Sequence, residues 1–276
     1  MPMKNITIAS LIVAASLFGH LPANAASSEW FDTKGAKMRL ITAVRPESQM
    51  IEAALEVKLE KGWKTYWRSP GESGIPPFFD FSASSNILNA VVTFPTPSYF
   101  NELGTEIVGY KNRVIFPISL KLSAVDQPTV LELKTVIGIC GEVCIPVQAK
   151  LSVTEPGNLG PTFEVSRALS DARASLPTKP NEELQVVSAR WNAANPTTLS
   201  IEVIVGEANE QVQLHVEGPQ DWYLLPAKLV ERNADKALFE LDITDIPEGA
   251  NPANTNFRFT LVADGRGIEQ ELSPAQ

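Results

Sequence analysis

Cys140 and Cys144 are the only cysteines of this 276-residue chain, and they end a strand-like run, Ile137-Gly138-Ile139-Cys140-Gly141-Glu142-Val143-Cys144-Ile145-Pro146. Thiols at this spacing have three chemistries open to them: a small disulfide ring, a reactive dithiol, or a grip on a soft metal. As a staple, a ring this small contributes about 2 kcal/mol by loop entropy, against roughly 4 to 5 kcal/mol for a long-range bridge. Structural bridges in β-sandwiches usually tie two sheets across long sequence separations. A bridge that adds little stability, placed at a strand end near loops, favours a pair that opens and closes. The staple and the soft-metal site stay open beside it.

The other ligand-forming residues are sparse. Zinc takes four Cys, His or carboxylate ligands, and beyond the two thiols only the remote His215 is an obvious candidate, since His20 lies in an N-terminal targeting segment. Cuprous copper is held by two thiolates with a thioether, yet Met38 and Met50 are both distant in sequence. No metal site and no cofactor is therefore predicted. Hydrolysis by a cysteine nucleophile needs His215 to reach Cys144 from the other half of the chain.

Met1-Pro2-Met3-Lys4, an apolar run from Ile6 to Leu17, and Ala23-Asn24-Ala25 before Ala26 have the anatomy of a cleaved secretory signal peptide covering residues 1–25. The apolar run is shorter than the ~20 residues that span a bilayer. The expected compartment is the periplasm, where disulfides form and persist, and the mature chain is not expected to insert in a membrane. A net charge of -9 argues against nucleic acid as a partner. Composition does not indicate an oligomeric state.

The positioning elements read as all-β. Ile51, Ala53, Leu55, Val57 and Leu59 alternate with Glu52, Ala54, Glu56, Lys58 and Glu60, the pattern of a strand with one buried and one wet face. Val114 to Leu122, Leu131 to Thr135 and Ala149 to Val153 repeat it. Short alternating strands without helical periods between them predict an antiparallel β-sandwich over residues 26–154. Two loops rich in proline and aromatics, 62–81 and 94–104, interrupt the strands. Loops this apolar are expected to cover an end of the sandwich, with Trp63, Trp67 and Phe79 in the cover or the core.

Residues 155–181 read as a linker broken by Pro156, Gly157, Gly160, Pro161, Pro177 and Pro180. Within it Val165, Ala168, Leu169, Ala172 and Leu176 recur at helical spacing, predicting one short amphipathic helix packed between domains. Strand-like runs at Leu184–Trp191, Thr198–Val205, Gln211–Val216, Ala237–Ile243 and Phe257–Val262 then predict a second sandwich over 182–276. The expected architecture is two tandem immunoglobulin-like antiparallel sandwiches.

Taken in order, Gly62-Trp63-Lys64-Thr65-Tyr66-Trp67-Arg68-Ser69-Pro70 through Pro77, Phe94-Pro95-Thr96-Pro97, Gly109-Tyr110, Val114-Ile115-Phe116-Pro117 and Cys140 to Pro146 resemble the periplasmic N-terminal domain of the DsbD family of thiol:disulfide interchange proteins, in its ScsB-like branch. The resemblance implies an immunoglobulin-like fold whose cysteine pair passes electrons from a membrane-linked thiol reductase to thioredoxin-fold and other disulfide-containing periplasmic proteins. It implies that Cys144 forms the mixed disulfide with a partner and that Cys140 resolves it. It places a cap over the pair at Asn101, Glu102 and Leu103, with Tyr66, Trp67 and Tyr110 as adjacent aromatics. Well-known members carry an acidic pair and a phenylalanine in the cap, so here Tyr99 or Phe100 is expected to cover the sulfurs instead.

No basic residue stands beside the pair in sequence, and Glu102 and Glu142 are expected to disfavour a thiolate by like-charge repulsion. Family members continue into membrane and thioredoxin-like domains that these residues do not include, so a separate membrane protein is expected to keep the pair reduced. The alternative is a non-catalytic periplasmic binding or assembly module, one that handles copper for instance, with the pair as a structural disulfide or soft-metal site.

Overall fold

The computed structural model describes residues 27–43, 48–71, 74–102, 105–125, 127–154, 162–206, 211–219, 222, 224, 226–244 and 246–275. The expected signal peptide, Leu103 of the expected cap and the start of the linker at 155–161 lie outside them, and Asn101 and Glu102 are described in backbone only. The strands are β1 (Phe31–Thr33), β2 (Ala36–Ala43), β3 (Met50–Leu59), β4 (Lys64–Tyr66), β5 (Phe78–Asp80), β6 (Ile87–Val92), β7 (Ser98–Glu102), β8 (Thr105–Lys111), β9 (Arg113–Leu122), β10 (Val130–Cys140) and β11 (Cys144–Thr154). After helix α1 (Phe163–Ala174) come β12 (Gln185–Trp191), β13 (Thr198–Ile204), β14 (Val212–Glu217), β15 (Lys228–Asn233), β16 (Lys236–Asp242), β17 (Phe257–Ala263) and β18 (Arg266–Leu272).

As the alternation predicts, the chain is all-β with antiparallel sheets. A five-stranded sheet, β1-β2-β3-β9-β6, faces a six-stranded one, β11-β10-β4-β8-β7 with β5 also on β10. Between them lies one apolar core, with Leu40, Leu55, Phe116, Leu133 and Ile137 fully buried. A second core, with Leu199, Ile201, Leu241, Phe257 and Phe259 fully buried, lies between the four-stranded sheet β12-β13-β16-β15 and the three-stranded sheet β14-β17-β18. The two loops expected as covers contain strands of their own. Residues 62–81 supply β4 and β5, and 94–104 supplies β7, which pairs with β8 as a hairpin.

Two expectations need correction. The supposedly wet face of β3 is dry at Ala54 and Glu56, because α1 lies across it: Val165, Ala168, Leu169 and Ala172 pack on Ile41, Ala54 and Ile115. The helix therefore covers the outer face of the five-stranded sheet instead of filling a gap between sandwiches. It starts at Thr162, whose hydroxyl accepts from the Val165 N–H, and stops before Leu176. Glu56 is kept ionised under this cover. Burial pushes its carboxyl up, but hydrogen bonds and charge from Arg39 (2.8 Å) and Arg113 (2.8 Å) outweigh that and hold it below its ordinary value. Arg39 and Arg113 continue to Glu164 and Asp171 of the helix, so the buried carboxylate also locates α1.

The two cores meet around His215 of β14. Its ring lies 5.4 Å from Trp67 and 6.3 Å from Tyr99. Burial, then the Arg68 charge, lower its pKa to about 4 from an ordinary 6.5. Between those values the unfolded chain binds the extra proton and the folded one does not, so stability falls as pH drops from 6.5 toward 4. The loss amounts to roughly 3 kcal/mol from this residue. Urea unfolding of His215→Gln is expected to show a flatter stability–pH profile in that window than the parent protein, whereas parallel profiles would place the acid lability elsewhere.

Candidate functional site

The sulfur pair is built on the outer face of the six-stranded sheet, away from the core. Ile139 and Ile145 precede and follow the hairpin tip and point inward, so Cys140 and Cys144, one residue further on each strand, point outward. They are directly opposed at the last register position of β10 and β11, Cα atoms 4.1 Å apart, and joined as a disulfide. Gly141, Glu142 and Val143 make the turn, closed by the Gly141 N–H donating to the Val143 carbonyl at 3.1 Å. The sulfurs differ in access: Cys140 is fully buried, while Cys144 is exposed.

Cys140 is buried in a cluster built around Tyr66, which leaves Cys144 out. On β4, Tyr66 shares the outward face with Cys140, through the register pair Cys140 and Lys64 two residues before it. Its hydroxyl lies 2.9 Å from Cys140 Sγ and 3.1 Å from Cys144 Sγ. Tyr66, Ile107 and Cys140 form a buried cluster edged by Ile75 and Phe100. Gly138 makes room for the ring: a Cβ there would lie 2.8 Å from Tyr66 and from Ile75. Thr65, facing the other way, donates its hydroxyl to the Gly138 carbonyl at 2.8 Å and keeps β4 against β10. Trp63, packed against the first core, supports the turn, its ring 3.1 Å from where a Gly141 Cβ would be.

Of the residues expected at the site, the fold brings together Cys140, Cys144, Tyr66 and Phe100, with the exposed Glu142 in the connecting turn. Tyr99, Trp67 and Tyr110 are corrected away from it. Strand alternation turns all three to the opposite face, where they join the first core, and the Tyr110 hydroxyl donates to the Pro95 carbonyl at 2.9 Å. Burial holds the Tyr110 phenol well above its usual value. His215 packs on Trp67, Met38 is inside the core and Met50 is exposed on β3, so none of the further ligands considered from sequence joins the sulfurs. Among the described residues no three His, Cys, Asp or Glu side chains gather into a metal-holding group.

Sequence spacing missed two cations. Lys64 is the register partner of both Cys140 and Lys111, so two lysines share the sulfurs' face of the sheet. Lys64 is 4% exposed, and the Lys111 ammonium sits 4.0 Å above the Phe100 ring. Only strand pairing, invisible in a linear motif, aligns them with the cysteines.

Residues 37–156 match the family model described as "Thiol:disulfide interchange protein DsbD, N-terminal". This region is a DsbD N-terminal domain. The crystal structure of the N-terminal periplasmic domain of ScsB from Proteus mirabilis superposes with a TM-score of 0.73 at 24% identity, covering 91% of this chain and 99% of that one. The shared fold therefore extends past the DsbD N-terminal domain across the second core. A yeast GGA1 GAE domain matches 46% of this chain and 97% of its own at 8% identity and a TM-score of 0.27, too low to carry an argument. No curated protein matches the chain.

The Tyr66 hydroxyl makes a charge-assisted hydrogen bond once either sulfur is a thiolate, an interaction of about 1.5–3 kcal/mol. Tyr66→Phe is expected to raise the thiol pKa of the reduced protein by about one unit, read as thiolate absorbance against pH. An unchanged titration would remove Tyr66 from thiol control.

Proposed function

We propose that the Cys140–Cys144 pair is a periplasmic thiol:disulfide exchange centre that relays electrons to disulfide-containing partners. The observation that carries this reading is the unequal access of the two sulfurs, one exposed and one fully buried beneath the same tyrosine hydroxyl. An exchange centre needs one sulfur that a partner can reach and a second held next to it for the return attack. In the reduced protein, the Cys144 thiolate attacks a partner disulfide, forming a mixed disulfide and releasing one partner thiolate, which takes up a proton. The Cys140 thiolate then attacks Cys144 Sγ, reforms the internal disulfide and releases the second partner thiol. Two electrons pass to the partner, and a dithiol donor must return two to this chain.

Several features support the reading. Cys140 and Cys144 close the end of a hairpin already paired at every position from Val130–Thr154 onward, so the bond adds little as a fastener. Lys64, opposite Cys140, favours a thiolate on this face. The ScsB domain is described as periplasmic, and residues 1–25 have the pattern of a secretory signal. No helix among the described residues is long and apolar enough to cross a membrane. The natural donor in this reading is a membrane thiol reductase, and the acceptors are thioredoxin-fold proteins. The chain is read as two domains, 26–154 and 182–276, with the exchange centre in the first.

With the resolving thiol removed, Cys140→Ala is expected to accumulate mixed disulfides through Cys144 with oxidised thioredoxin-fold partners, seen as dithiothreitol-sensitive adducts by mass spectrometry. Cys144→Ala should accumulate few, because Cys140 is buried. Absence of adducts with the first variant, or equal yields from both, would overturn the proposed exchange role.

A further inference from the structure

We infer that the second sandwich is a positioning element for the sulfur pair: an ion-pair clamp on Arg68 holds Tyr66 against the two sulfurs and so sets their redox equilibrium. This rests on the exchange reading proposed above and names what regulates that site.

Three consecutive residues make the connection. Tyr66 ends β4 with its hydroxyl on both sulfurs. Trp67, turned to the other face, is fully buried and lies 5.4 Å from His215 of β14. Arg68 follows, its guanidinium stacked 4.4 Å from the Trp67 ring and 5.8 Å from Phe94. Its Nε donates to Glu217 Oε1 at 2.8 Å, and its Nη2 donates to Glu217 Oε2 at 2.6 Å and Glu269 Oε2 at 2.5 Å. Both carboxylates belong to the second core's three-stranded sheet, Glu217 on β14 and Glu269 on β18. A forked guanidinium held by two carboxylates is directionally fixed in a way a single charge pair is not.

The grip matters because β4 is only three residues long. It is paired with β10 on one side and β8 on the other over two and three residue pairs, and its continuation, the Trp67 N–H to the Val108 carbonyl at 3.0 Å, leads straight into the clamped residue. The receiving sheet is itself anchored to the first sandwich's side of the chain. Thr178 donates to the Gly267 carbonyl at 2.9 Å and accepts from the Glu269 N–H at 3.0 Å, and Gly267 packs so tightly on Thr96 that a Cβ would lie 2.5 Å from its hydroxyl. A shift of the second sandwich is thereby transmitted through one peptide segment to the hydroxyl between the sulfurs. The Tyr66 O–H stabilises a thiolate more than a disulfide sulfur, so an intact clamp favours the reduced pair.

The test is the equilibrium of the full chain with glutathione, in which the disulfide and two glutathione thiols give the dithiol and one glutathione disulfide. Glu217→Gln combined with Glu269→Gln changes no residue near the sulfurs. It is expected to shift the equilibrium about tenfold toward the protein disulfide, about 30 mV for this two-electron couple. Tyr66→Phe should shift it the same way, and the triple variant should shift no further than Tyr66→Phe alone, because the clamp acts through that hydroxyl. Arg68→Lys, which keeps the charge and loses the fork, should fall between. Glu217→Gln alone, with an intact circular dichroism spectrum, serves if the double variant does not fold. An unshifted equilibrium in the folded clamp variants, or shifts that add to that of Tyr66→Phe, overturns the inference. If the parent protein does not exchange with thioredoxin-type dithiols, the proposed relay falls instead, and the glutathione equilibrium still judges the clamp.

Discussion

Everything at the sulfur site depends on the alternation of side chains across one short strand. From Lys64 to Trp67 successive residues point to opposite faces of the six-stranded sheet. Lys64 and Tyr66 reach the face that carries the disulfide, while Thr65 and Trp67 turn back toward β10 and the core. A slip of one residue would exchange the two sets, setting an indole where the phenol now meets the sulfurs. The Thr65 hydroxyl on the Gly138 carbonyl and the fit of Tyr66 over that same glycine oppose such a slip.

Because the disulfide lies outside the sandwich, its chemistry is separated from the packing that stabilises the fold. The first core is sealed by Ile139 and Ile145, one residue inside the cysteines on each strand. Opening the sulfur bridge therefore exposes none of that core and breaks no inter-sheet tie. A cysteine pair between the sheets, as in immunoglobulin domains, would put redox cycling in conflict with stability. Among the described residues the covering groups are the Tyr66 ring, Ile75, Ile107 and Phe100.

The opposite side of the same sandwich uses charge in a structural way. Glu56 is completely buried with two arginines as partners, and those arginines reach on to carboxylates of α1. Removing one partner from such a group leaves a buried charge, which costs more than the pair contributes. The network thus specifies where the helix lies more than it adds to stability. The Arg68 clamp has a similar form, one guanidinium serving two carboxylates, but joins the two cores instead of a helix and a sheet.

Residue order by itself determined the all-β class, the main strands of both cores, the helix at Val165 to Ala172 and the two cysteines at a strand end, because burial on one face of a sheet or helix leaves a periodic trace. It also carried the DsbD N-terminal motifs from Gly62 to Pro146. Tertiary structure alone decided that Glu56 is dry, that Phe100 and not Tyr99 borders the Cys140 cluster, that Lys64 stands across from Cys140, and that Arg68 is held by Glu217 and Glu269. Those facts depend on which strands become neighbours and in what register, and pairings 74 to 201 residues apart leave no local pattern to read.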